Sequence, residues 1–230
     1  MHITWLGHAA FELRFATGEV LLMDPWLEGN PKFPKGYNIS KVDGIAISHG
    51  HFDHINDVIP LAKRFQPKVV GIVETTSWLE RKGVQNTIGM NKGGTVDLNF
   101  VKLSMTHALH SNAIKDGDEL VYGGEAAGYV LHQQDGRSAY FAGDTSVFAE
   151  MNFIRELYKP ELAFLPIGDH YTMGPKEAAL AARMLQVKKI IPMHYGTFPL
   201  LAGTPDALKK ELAGDGLEVW QLQPGEAARW

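Results

Sequence analysis

The chain contains no cysteine. Disulfides, thiolate zinc sites and cysteine nucleophiles are therefore excluded, and any metal has to be held by nitrogen and oxygen. No apolar run approaches the roughly 18 residues that a membrane-spanning helix needs. The opening Met1-His2-Ile3-Thr4-Trp5-Leu6 lacks the basic-then-apolar signature of a signal peptide. Basic residues are in slight deficit, 22 Lys and Arg against 26 Asp and Glu, for a formal charge of −4. Nucleic-acid binding normally draws on a surplus of Lys and Arg. A cytoplasmic protein with a small-molecule substrate, no nucleic-acid partner and no membrane attachment is expected, and a homo-oligomer stays open. A small anionic substrate also stays open, because a local charge or a metal overrides the net sign.

What is present is ordinary globular material: 230 residues, 45% hydrophobic and 21% charged, enough for one sizeable core. No internal repeat, low-complexity stretch or long linker interrupts it, so residues 1–230 read as a single domain. His2 to Leu6, Phe11 to Phe15 and Val20 to Met23 predict consecutive antiparallel strands. Gly44 to Ser48 predicts a buried strand, and Ile55 to Phe65 a helix despite Pro60. Further strands are expected at Val69 to Val73, Phe100 to Met105, Ala127 to His132, Ser138 to Ala142, Leu162 to Pro166, Ile190 to Met193 and Leu217 to Leu222. Further helices are expected at Thr75 to Arg81, Val147 to Tyr158, Pro175 to Leu185 and Pro205 to Ala213. Asp135-Gly136 predicts a hairpin turn. Asn86 to Gly94 and Lys115 to Leu120 read as loops. Many strands with interspersed helices indicate a mixed α/β sandwich.

The informative segment is His49-Gly50-His51-Phe52-Asp53-His54, which follows an apolar strand. Residues two apart point the same way in an extended backbone, so His49 and His51 can grip one ion. Asp53 and His54 follow where a helix begins and can turn toward a second. Imidazole and carboxylate suit zinc, iron or manganese. Remaining ligands are expected in loops beyond strand ends. Three places qualify: His110, Asp144 in Ala142-Gly143-Asp144-Thr145, and His194 in Met193-His194-Tyr195-Gly196-Thr197-Phe198. A histidine-rich surface loop without a ligand is the plainer alternative.

HxHxDH, then a histidine, then GDT, then a strand-terminal histidine resembles the metallo-β-lactamase superfamily. LGHAAFEL, MDPWLEGNP, SHGHFDH, ALHSNA, AGDT, PIGDHYTMGP and MHYGTFP together resemble, more narrowly, the UPF0173 metal-dependent hydrolases. That group is similar to ascorbate-6-phosphate lactonases and, more distantly, to N-acyl-phosphatidylethanolamine phospholipase D. The resemblance implies an αββα four-layer sandwich, two mixed β-sheets flanked by helices, with metals in a groove at one edge of the sheets. It implies that His49, His51 and His110 hold a first metal, that Asp53, His54 and His194 hold a second, and that Asp144 bridges them. Zinc is the metal expected, with manganese, iron or nickel as alternatives. The activity implied is hydrolysis of an ester, lactone or phosphodiester by hydroxide held between the metals. Asp53 and His8 are the expected catalytic side chains, Asp53 by orienting that hydroxide and His8 by lying near the metals.

Several residues have two readings. His107 competes with His110, but the resembling pattern puts the ligand directly before a run of small residues, here Ser111-Asn112-Ala113. Asp24 is either a turn carboxylate or an acceptor for the spare N–H of a ligating imidazole such as His54. His170 stands where the family commonly has asparagine. Asp169 and Thr172 are turn, capping or substrate residues. His2 and His132 read as structural. Trp26, Phe33, Tyr37 and Phe198 line an apolar pocket or pack as ordinary core. The loop Trp26 to Tyr37 covers the groove or forms a subunit contact. Competing activities on this fold are a mononuclear-iron redox enzyme, a phosphodiesterase or nuclease, and a non-catalytic scaffold. The intact seven-residue set and the compact acidic chain favour a small-molecule hydrolase over all three.

Overall fold

The computed structural model describes residues 1–230 and separates into two compact units, each assembled from non-contiguous stretches of chain. Unit 1 comprises Met1–Gly94, Ser111–Ala126 and Leu222–Trp230; unit 2 comprises Thr95–His110 and Ala127–Gln221.

Unit 1 holds a seven-stranded sheet of β1 (His2–Trp5), β2 (Phe11–Arg14), β3 (Val20–Met23), β4 (Gly44–Ala46), β5 (Lys68–Ile72), β6 (Thr87–Met90) and β16 (Ala227–Arg229), in the order β16-β1-β2-β3-β4-β5-β6. The first three strands are antiparallel, as their turn spacing predicts, and pairing is parallel from β3 to β6. Helices α1 (Phe52–Ile55), α2 (Val58–Phe65) and α3 (Val73–Arg81) belong to the same unit. Leu22, Ile45, Ile47 and Val69 from the sheet side pack with Ile55, Val58, Leu61 and Leu79 from the helices.

The single helix expected over Ile55 to Phe65 is in fact two, broken at Asn56-Asp57. Pro60 lies in the first turn of α2, where no intrahelical N–H is required. Asp57 does not cap that helix; its Oδ2 accepts the amides of Leu27 (2.7 Å) and Glu28 (3.2 Å). Two expected loops also contain strands. β6 occupies part of Asn86 to Gly94, and β9 (Ala113–Asp116) and β10 (Glu119–Tyr122) form a hairpin across Lys115 to Leu120. Gly89 disguises β6, because a Cβ there would lie 2.8 Å from Thr76 Oγ1 on α3 and no larger residue fits. The hairpin is mostly exposed, with Ile114 its one fully buried side chain, so alternating hydrophobicity is missing.

Unit 2 holds β7 (Thr95–Asp97), β8 (Val101–His107), β11 (Ala127–Gln133), β12 (Ser138–Phe141), β13 (Leu162–Pro166), β14 (Lys189–Met193) and β15 (Glu218–Val219), in the order β15-β14-β13-β12-β11-β8-β7. Strands β12 to β15 are parallel and the remainder antiparallel. The turn between β11 and β12 is the predicted Asp135-Gly136, with Gly136 at φ 88. Helices α4 (Met151–Tyr158), α5 (Pro175–Leu185) and α6 (Pro205–Glu211) pack on Val130, Tyr140, Ala163, Leu165 and Ile190. The helix expected from Val147 begins at Met151 instead, preceded by tighter i→i−3 turns in which the Met151 and Asn152 amides donate to the Phe148 and Ala149 carbonyls (both 3.2 Å). Parallel β12, β13 and β14 end at one edge of the sheet, the edge from which ligand-bearing loops of open α/β sheets depart. No helix is long and apolar enough to cross a membrane.

Candidate metal centre

In unit 1 the candidate ligand segment starts at His49, three residues after β4 ends, and runs into α1. Its conformation is set by a buried carboxylate on the neighbouring strand end. Asp24 follows β3 with φ 43 and no solvent exposure. Its Oδ2 lies 2.8 Å from His54 Nδ1 and accepts the Ser48 hydroxyl at 2.6 Å, while Oδ1 accepts the Ser48 amide at 2.7 Å. Ser48 Oγ in turn lies 2.9 Å from His49 Nδ1. Burial pushes the Asp24 carboxyl above the usual carboxylate range, against the opposing pull of His54 and then Ser48. One carboxylate thereby fixes two imidazoles, one directly and one through a serine, and turns Nε2 of each into the atom it could offer to a metal. Asp24, His49 and His54 offer ligand atoms within 4.8 Å of one another.

His49 Nε2 and His51 Nδ1 approach to 3.0 Å. Two nitrogens bound to one zinc at 2.0–2.1 Å stand roughly 3.4 Å apart, so this pair is already near ligating separation. Gly50 between them is held by Asn112, whose Oδ1 accepts its amide at 2.7 Å and whose Nδ2 donates to the Gly123 carbonyl at 2.7 Å. A Cβ on Gly50 would lie 2.3 Å from Ile114 Cγ1, so the turn admits only glycine. Asp53 faces His8: Nε2 of the wholly buried imidazole is 2.9 Å from Asp53 Oδ2, and His54 Nε2 is 3.8 Å from the same oxygen. Trp26 packs its ring edgewise on His8 (5.2 Å), and Phe52 packs edgewise on Trp26 (5.5 Å).

In unit 2 the three remaining residues converge on one oxygen. Asp144 Oδ2 is 3.0 Å from His194 Nε2 and 3.6 Å from His110 Nε2. Asp144 follows β12 and His194 follows β14 with φ 56. Thr145 ties two of the loops together: its hydroxyl accepts the Leu109 amide at 3.0 Å and donates to the Ser146 carbonyl at 2.7 Å. Burial pushes the phenol of Tyr195, beside His194, up to about 12, so it is a neutral hydroxyl at physiological pH. These nitrogen and carboxylate donors fit a borderline divalent metal such as zinc.

His107 ends β8 with its ring edge-to-face on Phe148 at 5.2 Å, while His110 is the histidine that meets Asp144. His132 sits on β11 between Ser104 and Ser138 (2.9 and 3.2 Å), and His2 is exposed on β1; neither joins a donor group. Phe33 and Tyr37 pack on each other at 6.2 Å and line a shallow groove with Leu27, Leu61 and Arg64. Ser48, Asn112 and Thr145 escaped sequence reasoning as site residues. The only available signal was adjacency: each lies within two residues of a predicted ligand.

Residues 20–195 match the family model described as Beta-lactamase superfamily domain. A UPF0173 metal-dependent hydrolase of Solibacter usitatus is 59% identical over 230 residues, 100% of both chains. One from Methanopyrus kandleri is 44% identical, with 99% of both chains covered. Among solved structures, a metallo hydrolase from the hyperthermophilic archaeon Ignicoccus hospitalis superposes with a TM-score of 0.87 at 36% identity, covering 99% of this chain and 97% of the other. With a donor set of histidine and aspartate at its strand ends, this chain belongs to the UPF0173 metal-dependent hydrolases of the beta-lactamase superfamily.

Proposed function

We propose that His49, His51, Asp53, His54, His110, Asp144 and His194 hold two divalent metal ions, zinc in the first instance, and that the protein hydrolyses an uncharged ester or lactone of a small organic molecule. The observation that carries this reading is the convergence of His110 and His194 on one Asp144 oxygen, the arrangement expected of a carboxylate shared between ions. The pre-set His49–His51 pair supplies the complementary donors. Bound divalent metals lower the pKa of water and polarise a carbonyl or phosphoryl oxygen. The chain's own contribution is orientation and proton handling. The His8 Nε2–H donates to Asp53 Oδ2 and so fixes which carboxylate oxygen faces the reacting water. Asp24 and Ser48 hold two imidazoles in one tautomer. Trp26 and Phe52 wall the His8 side with aromatic surface and exclude water there.

The ester or lactone class is favoured over a phosphodiester by charge. Residues 48–57, 108–113, 142–147 and 193–203, which carry the seven ligands, contain no Lys or Arg, and phosphate recognition ordinarily recruits them. The cytoplasm, the compartment expected from the sequence, would supply such a substrate.

Elemental analysis of the wild type and of Asp144→Ala, paired with turnover of phenyl esters, γ-lactones and bis(p-nitrophenyl) phosphate, tests the reading. Two metals per chain, ester or lactone turnover, and loss of both in the variant are expected. One metal at most after reconstitution refutes the dinuclear site. Phosphodiester turnover alone, with two metals, replaces the proposed substrate class.

A further inference from the structure

Ten non-glycine residues have left-handed backbone, a conformation unfavourable for an L side chain. Gln66, Lys159 and Gln186 are helix C-caps, and Asn86 and Asn99 are single turn residues, one directly before β6 and one between β7 and β8; Asn, Asp and His are the non-glycine types met most often in this region. His8, Asp24 and His194 belong to the donor groups described above. The two left over are consecutive: Asp169 (φ 67) and His170 (φ 56), in the loop between β13 and α5.

This loop supplies no ligand, yet both its ends are fastened to loops that do. At the front, a Cβ on Gly168 would lie 2.1 Å from the His194 carbonyl oxygen, so the two backbones touch; the Gly168 carbonyl also accepts the Gly203 amide at 3.1 Å. At the back, wholly buried Met173 donates its amide to the Thr145 carbonyl at 3.1 Å, next to Asp144. Between these anchors Asp169 locks the bend, accepting the His170 amide on Oδ1 at 2.8 Å and the Tyr171 amide on its carbonyl at 2.6 Å. His170 and Tyr171 are both exposed, their rings edge-to-face at 4.4 Å. The strained residues thus bury nothing. Strain retained without a packing return is characteristic of ligand-contacting segments held in one shape.

We propose that residues 168–174 form the substrate-contacting loop of this hydrolase, with His170 and Tyr171 as specificity-determining residues. Tyr171 packs against an apolar or aryl portion of the substrate, and a His170 ring N–H donates to one of its oxygens. The loop contains no Lys or Arg, which matches an uncharged ester or lactone. The inference rests on the hydrolase reading above, and its test separates the two.

The metal-loaded wild type is compared with His170→Gly and Tyr171→Ala for metal content, thermal midpoint, and kcat and KM on phenyl esters of increasing acyl length and on γ-lactones. Glycine accepts the left-handed backbone without steric conflict, so His170→Gly is expected to keep its metal and melt about 2–4 °C higher. Both variants are expected to lose roughly tenfold or more in kcat/KM, chiefly through KM, with altered ranking of the substrates. Unchanged kinetics and ranking in both variants overturn the proposal, as does a lower midpoint in His170→Gly with metal retained. A wild type that is metal-loaded but inert on every substrate refutes the hydrolase reading instead; the His170→Gly midpoint then still decides whether the loop is held against its preference.

Discussion

Asp24 and His54 meet at 2.8 Å with neither side chain exposed to solvent. The contact joins a residue that opens a turn after β3 to one inside the ligand motif, 30 positions later in the chain. A carboxylate in this place raises the basicity of the imidazole and fixes its orientation. Asp24→Asn keeps the shape and loses the charge. It is expected to weaken metal binding about 10–100-fold, read by competition with a chromophoric chelator, while far-UV circular dichroism stays that of the wild type. An affinity equal to wild type would leave Asp24 as a turn carboxylate only.

Gly50→Ala places a methyl group 2.3 Å from Ile114 Cγ1. Overpacking of this kind costs about 1–3 kcal/mol, and here it also spreads the His49–His51 pair. Lower thermal stability and lower metal affinity are expected together. Ile114→Ala on the same background opens the space again and is expected to restore part of both. A double variant no better than the single one would assign the damage to backbone conformation rather than to the collision.

His8→Gln tests the side chain that faces Asp53. Removing a general-acid or orienting group lowers turnover by about 10²-fold or more, and metal content is expected to stay at the wild-type level. Parallel loss of metal would make His8 a support for the Asp53 ligand and not a catalytic residue.

His132 offers a pH test away from the metal groups. Burial first, and the nearby Lys102 second, hold its imidazole below the usual histidine range. Ser104, Ser138 and the Tyr158 ring are its other neighbours. The folded state therefore takes up this proton less readily than the unfolded chain does. The stability that the neutral ring contributes is complete above the unfolded pKa of about 6.5. It is lost as pH falls from there toward the depressed folded value. His132→Gln is expected to flatten the fall in thermal midpoint between neutral and mildly acidic pH, relative to the wild type at equal metal loading. An unchanged slope would remove His132 from the acid sensitivity.

The candidate donors stand out in the sequence because they are few, specific and placed at strand ends. His49 to His54, Asp144 and His194 stand out against any background of loop residues. The preference for His110 over His107 rests on the family pattern; in the structure His107 turns onto Phe148 and His110 faces Asp144. Ser48, Asn112 and Thr145 were invisible because a hydroxyl or amide bonded to a backbone group looks like any turn residue in sequence. β6 and the β9–β10 hairpin were missed where sterics and exposure, rather than alternating burial, shape the strand. Each of the two compact units draws on separated parts of the chain, a feature that a reading along the sequence does not display.

β1 pairs on its outer side with β16, in register from His2 opposite Arg229 to Thr4 opposite Ala227. β1 therefore leaves the ribosome long before β16, the neighbour on its outer side. Until β16 emerges its outer row of amides and carbonyls has no strand to pair with, the situation in which edges recruit other chains. Sequence-distant pairing of this kind is also slow to form. Nascent chains ending before residue 227 would be the species that aggregate or call on a chaperone, and deletion of β16 would harm yield through that uncovered edge.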